Sequence, residues 1–142
     1  MNSHLIEVSE YQAAGYSPVV DFQTWRVAIL NYIDELETPL INNFQCHLDT
    51  DEVFVLLAGR CILFCAETSK NRLGKIVAQD MQTGKIYNIK QGVYHTHTLS
   101  PDAKVLIVEN SDTCDNNSPK ISISKDIQDE LTSLKAQLWS PQ

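Results

Sequence analysis

The chain has 142 residues and a formal net charge of −7; its length allows one hydrophobic core, and 43% hydrophobic against 20% charged residues is too apolar for a disordered segment. An acidic surface repels phosphate backbones, and the densest basic stretch, Lys70, Arg72 and Lys75, has the spacing of a solvated turn, which argues against a nucleic-acid partner. The longest apolar run, Val53 to Ala58, is far too short to cross a bilayer, and Met1-Asn2-Ser3-His4-Leu5-Ile6-Glu7 lacks the basic-then-apolar order of a signal peptide; the expectation is a soluble, cytoplasmic, single domain over residues 1–142.

In chain order, Ser3 to Ala14 is expected to form a short helix, stopped at Gly15 and the turn Ser17-Pro18. Strand-forming runs follow over Val19–Phe22, Trp25–Ile33, Leu40–His47, Glu52–Leu57, Arg60–Ala66, Lys75–Met81, Lys85–Ile89, Val93–Leu99 and Lys104–Asn110. Turn chemistry separates them at Thr68-Ser69-Lys70-Asn71, Gln82-Thr83-Gly84 and Ser100-Pro101-Asp102. So many short strands predict an all-β sandwich or barrel. Ser111–Pro119 is polar and expected to be a loop. Over 124–139, Ile127, Leu131, Leu134 and Leu138 recur at helical spacing, which predicts an amphipathic C-terminal helix covering the outside of the barrel or a partner subunit. That helix, together with the β-branched and aromatic run Val19–Ile33, points to a homodimer. Cys61 and Cys65 fall within one strand, too far apart for a disulfide, and no CxxC pair occurs, so the four cysteines are expected to be small buried hydrophobes.

The chemistry-bearing residues cluster around two turns. Gln45-Cys46-His47 alternates, placing Gln45 and His47 on one face of a strand. The polar stretch Leu48-Asp49-Thr50-Asp51 turns the chain, so Glu52 on the return strand can face the side His47 faces. Downstream, Lys90-Gln91-Gly92 turns into His95-Thr96-His97, whose alternation puts both histidines on one face. If the two hairpins share a sheet, His47, Glu52 and His95 can converge on one point. Two imidazoles and a carboxylate are the ligand types of a divalent transition metal. A lone histidine on a half-buried strand is ordinarily a hydrogen-bonded core residue; His47 stands out through its company. A buried Glu52 asks for a cation or a histidinium beside it. His97 is either a general acid/base in the pocket or a structural residue deeper in the barrel. Tyr32, Tyr87 and Tyr94 either line a pocket mouth or pack, and Asp49 and Asp51 are expected to be solvated turn residues. No Gly-x-Ser-x-Gly and no phosphate-cradling glycine loop occurs.

These residues resemble the two motifs of the cupin superfamily over about residues 39–110. The first motif of that family runs Gly, five residues, His-x-His, three or four residues, Glu, six residues, Gly; the chain has Gln45-x-His47, four residues, Glu52, six residues, Gly59. The second runs Gly, five residues, Pro-x-Gly, two residues, His, three residues, Asn; the chain has Gly84, five residues, Lys90-x-Gly92, two residues, His95, three residues, Leu99. Pro39 stands at the opening glycine, Gln45 at the first histidine, Lys90 at the proline and Leu99 at the asparagine.

The resemblance implies a double-stranded β-helix (jelly-roll) barrel with a short N-terminal segment and the C-terminal helix. It implies one divalent metal, Fe, Mn, Ni, Co or Zn, on His47, Glu52 and His95. Gln45 would then be a weak fourth ligand or a hydrogen-bond partner of bound water. It also offers a menu of activities on a small polar molecule: dioxygenase, isomerase or lyase. Two alternatives stand beside it: a non-enzymatic small-ligand-binding or sensor module, and a metal-free sugar-nucleotide isomerase or epimerase using His95 or His97 as base.

Overall fold

The computed structural model describes residues 4–140. Ten strands and one α-helix are present: β1 (Tyr16–Phe22), β2 (Trp25–Asn31), β3 (Asn43–Gln45), β4 (Glu52–Ala58), β5 (Cys61–Ser69), β6 (Arg72–Asp80), β7 (Tyr87–Ile89), β8 (Tyr94–Leu99), β9 (Lys104–Asn110), β10 (Lys120–Ser122) and α1 (Lys125–Trp139). They form two five-stranded antiparallel sheets, ordered β1-β2-β9-β4-β7 and β10-β3-β8-β5-β6.

Alternation explains the first sheet. Along β4, Glu52, Phe54 and Leu56 are buried while Val53 and Val55 are only partly covered, and along β9, Val105, Ile107 and Glu109 are the buried set. A core of Ala28, Leu30, Phe54, Leu56, Leu63, Val105 and Ile107 joins both sheets. β5 breaks the alternation: Cys61, Ile62, Leu63 and Phe64 are all buried, because its outer face is covered as well. The cover is α1. Its Leu131 is fully buried with Ile41, Phe44, Ile62 and Phe64, and Ile127, Leu134 and Trp139 pack alongside. Ser124 caps the helix by accepting from Ile127 N at 3.4 Å. Thr132 and Thr38 hydroxyls meet at 2.8 Å, Gln128 donates to Ile41 O at 2.7 Å, and Trp139 Nε1 donates to Asp80 at 2.9 Å. The helix therefore lies on the outside of the second sheet.

Two turns show why particular residues occupy them. β5 and β6 are joined through Lys70-Asn71, both with positive φ (51° and 61°), the twist a two-residue hairpin requires. Between β4 and β5, Gly59 has φ +68°, and a Cβ there would sit 2.5 Å from Ala103 Cα; no side chain fits.

Several expected elements differ. Within 4–14 the chain is irregular, with bends at both ends and no helix (Ser3 lies outside the described residues). Side chains of the neighbouring strands capture its carbonyls: Asn31 Nδ2 donates to Tyr11 O and Ala13 O, and Lys104 Nζ donates to Tyr11 O at 2.7 Å. Those bonds fasten the end of the segment to β2 and β9. The run expected as one strand over Leu40–His47 contributes only Asn43–Gln45, because Thr38-Pro39-Leu40 forms a 3₁₀ turn with a proline that fixes φ and cannot donate. The polar stretch Ser111–Pro119 contains a 3₁₀ turn over Asp115–Asn117. It leads into β10, a strand the sequence pattern did not single out, which pairs with β3 through Lys120↔Gln45 and Ile121↔Phe44.

Candidate metal centre

Three strand ends bring the cluster together. His47 follows β3, Glu52 opens β4 in the other sheet, and His95 sits near the start of β8, where it pairs with Gln45. Gly92 N donates to His47 O at 2.9 Å, tying the turn before β8 to the turn after β3. Asp51 makes a second tie: it accepts from Gln91 N at 2.7 Å and Asn88 Nδ2 at 3.0 Å and lies 3.7 Å from Lys90 Nζ. The hydrogen bond from Asn88, then that from Gln91, holds its carboxyl below the usual value. Asp51 is thus a clamp and not merely a solvated turn residue, and Lys90, at the position of the family's proline, is one of its partners. Asp49 is exposed as expected.

One donor atom each from His47, Glu52 and His95 lies within 4.8 Å of the others, and all three residues are buried. Glu52 Oε1 is 3.2 Å from His47 Nε2 and 2.8 Å from His95 Nε2. The far nitrogens are held too: His47 Nδ1 lies 2.7 Å from Ser118 Oγ, and His95 Nδ1 donates to Val93 O at 3.0 Å. Such outer contacts fix ring orientation and aim both Nε2 atoms inward. His95 Nδ1 faces a carbonyl and Nε2 faces the Glu52 carboxyl, so a proton shared across that contact, or a cation in its place, is needed to satisfy both. Two nitrogens and a carboxylate oxygen suit a borderline divalent ion, so the donor set fits a metal.

The electrostatics agree. Burial alone would lower the His47 pKa, but the hydrogen bond and charge of Glu52 outweigh it and raise it above the ordinary 6.5. Burial would likewise raise the Glu52 carboxyl; hydrogen bonds from His47 and His95 reverse this and hold it well below its ordinary range.

The cluster lines a cavity of about 560 Å³ together with Gln45 and His97, a volume suited to a small molecule. Gln45 Nε2 donates to Ser118 O at 3.3 Å. His97 packs its ring against Phe54, with centroids 5.6 Å apart. Its Nδ1 is a buried nitrogen with no hydrogen-bond partner among the described residues, and burial first, then the neighbouring His95, pushes its pKa down to about 4. Tyr32, Tyr87 and Tyr94 do not line this cavity. Tyr32 and Tyr87 pack against the inner core and Tyr94 against the core under α1.

Four site residues escaped the sequence reading: Tyr16, Arg26, Glu109 and Ser118. Arg26 and Glu109 are direct cross-strand partners on β2 and β9. Glu109 Oε2 accepts from Arg26 Nε at 3.1 Å and from Tyr16 OH at 3.2 Å. Burial, then proton sharing with Glu52, pushes the Glu109 carboxyl up to about 7 against the pull of Arg26. Strand parity could have revealed this pair, since Glu109 continues the inward series Val105, Ile107 and Arg26 continues Leu30, Ala28. Nothing local marks Ser118, which reaches His47 from a loop 71 residues downstream.

No family model matches the chain, and no protein of curated function matches it. Solved structures do. Streptomyces Pac13, a nucleoside dehydratase, is 9% identical with a TM-score of 0.54, covering 82% of this chain and 87% of its own. A Bacillus halodurans protein is 11% identical with a TM-score of 0.53, covering 71% and 73%. A cupin-2 domain protein of Shewanella frigidimarina is 21% identical over 70% of this chain and 84% of its own, with a TM-score of 0.47. Identities this low speak to fold alone. The protein folds as a cupin-like barrel of two antiparallel sheets, with a His–Glu–His cluster lining its cavity.

Proposed function

We propose that the protein is a metal-dependent cupin enzyme acting on a small molecule, of dioxygenase, isomerase or lyase type, with one divalent ion on His47, Glu52 and His95. The observation that carries this reading is the buried carboxylate between two inward-aimed Nε2 atoms, each ring braced from behind. Three protein ligands leave coordination positions open, and a bound ion would supply Lewis-acid polarisation of a substrate oxygen. Gln45 lines the same cavity and is assigned a place in or beside the ligand set. His97 is assigned to the substrate side, where its unpartnered Nδ1 can hydrogen-bond or exchange a proton with a bound molecule.

Metal binding must displace protons from the histidines. Because the His47 pKa lies above 6.5, the proton competes throughout the mildly acid range, and affinity rises as pH climbs through that raised value. Melting temperature should therefore increase with added cobalt, nickel, manganese, zinc or ferrous ion at pH about 7.5 and hardly at about 5.5. His47→Ala should weaken binding more than about 100-fold, the upper end of what outer contacts alone contribute. Melting that ignores all these ions at both pH values would replace this reading with that of a metal-free binding module.

The proposed assembly is a homodimer. Edge strand β1 and the neighbouring β2 expose Phe22 (53%) and Trp25 (44%), their rings tilted against each other with centroids 5.9 Å apart, a surface suited to self-association. Sedimentation at the monomer mass of 16.0 kDa would refute it. All four cysteines are free, which supports a reducing, cytoplasmic setting. No helix among the described residues is long and apolar enough to cross a membrane.

A further inference from the structure

The two sheets differ on their outer faces. Helix α1 covers the outside of the second sheet with Ile127, Leu131 and Leu134. On the first sheet, the registers of β2 with β9 and of β9 with β4 line up two rungs of outward side chains, Val27–Val108–Val53 and Ile29–Leu106–Val55. All six are aliphatic. Five are half-buried and Ile29 is 9% exposed, yet among the described residues none of the six belongs to either apolar core. Val20 continues the first rung onto β1, and one rung further Phe22 lies opposite Trp25, the exposed aromatic pair already assigned to self-association. At the other end of the grid Asn31 and Lys104 pair across β2 and β9 and between them hold the carbonyls of Tyr11 and Ala13. The irregular segment ahead of that anchor presents Ile6 and Val8, 67% and 65% exposed.

We infer that two copies of the chain pack the outer faces of their first sheets together, with the Phe22–Trp25 pairs and the N-terminal segments at the rim. This locates the interface of the proposed homodimer and rests on that reading. The occupant follows from charge and area. Although 20% of the chain is charged, the two rungs carry no charged and no hydrogen-bonding side chain. A charged partner would find nothing there to pair with. In a two-fold contact the patch meets its own image, and a patch without charge does so without repulsion. Sheets pack face to face at about 10 Å, with strands about 30° apart, by interdigitating side chains of this kind. Strands β1, β2, β4 and β9 have seven residues each. At ~4.8 Å between strands and ~3.4 Å per residue they cover roughly 450 Å² in projection. Accessible area exceeds projected area and the rim residues add to it, which brings the patch to the ~800 Å² scale that each partner of a stable pair contributes. Inward residues of the same strands line the cavity, so pairing on the outer face leaves the cavity wall untouched.

The experiment is sedimentation equilibrium of the full chain from submicromolar to tens of micromolar concentration. The parent should run at twice the 16.0 kDa monomer mass. Val108→Glu brings a like charge from each copy into the contact and should sediment as a monomer with an unchanged far-ultraviolet circular dichroism spectrum. Val53→Thr combined with Val108→Thr keeps side-chain shape and strand preference. It should weaken dimerisation at least about 100-fold, because four hydroxyls are buried without partners. A parent at the monomer mass removes the homodimer reading and this inference together, and leaves the face to a different protein. A parent dimer that either folded variant leaves intact keeps the homodimer reading and overturns this interface. If Val108→Glu does not fold, the threonine variant decides alone.

Discussion

The two faces of β5 do opposite jobs within one strand. Ile62, Phe64 and Ala66 point outward under α1 and meet Phe44, Ile76 and Leu131 in a wholly apolar cluster. Cys61, Leu63 and Cys65 point inward, and of these Leu63 and Cys65 pair across to His97 and His95 on β8, at the edge of a cavity holding buried charge. The outer face gains stability from area and shape alone. The inner face buries Glu52, Glu109 and two histidines, groups that burial disfavours unless each is paired. One sheet therefore separates the part of the molecule that holds it together from the part equipped for chemistry.

That separation can be broken by substitution. The largest effect is expected on the outer face: Phe64→Ala should lower unfolding free energy by about 3–5 kcal/mol, the usual cost of removing a buried ring and leaving a void. Urea unfolding measures this. Metal titration of the folded variant should match the parent, and a matching loss of metal affinity would show that the faces are coupled.

A smaller effect is expected inside. The folded chain holds a proton on Glu109 up to about pH 7, whereas an ordinary carboxyl releases it near 4.5. The folded state binds the extra proton, so this group makes stability fall as pH climbs through that window. Glu109→Gln cannot titrate, and it should remove that falling limb, a difference of about 1–3 kcal/mol between pH 5 and pH 8. Unfolding midpoints of both proteins at the two pH values decide it. Parallel curves would mean that Glu109 is ionised throughout and that the Arg26 pair dominates. Glu52 works in the opposite sense: its depressed pKa contributes stability above the ordinary carboxyl value that is lost as pH falls through the depressed one.

The sequence by itself determined a good deal. Apolar runs and turn residues located the strands from β4 through β9, since strand-forming runs end where the chain must turn, although β5 does not alternate and β6 begins earlier, at Arg72. The spacing His47, Glu52, His95 told which side chains could meet, because parity on short hairpins is set locally. The Ile127–Leu138 stripe identified the helix, though not what it covers. Only the tertiary structure decided the rest. The N-terminal segment is irregular, and Asn31 and Lys104 hold its end by bonding carbonyls of Tyr11 and Ala13 from distant strands. β10 exists because β3 offers it an edge. Ser118 reaches His47 across 71 residues of sequence, and Arg26 with Glu109 becomes a buried pair only when β2 docks on β9. Local periodicity records which face a residue takes; it carries no record of which distant strand will lie opposite, and that pairing placed the buried charges around the cavity.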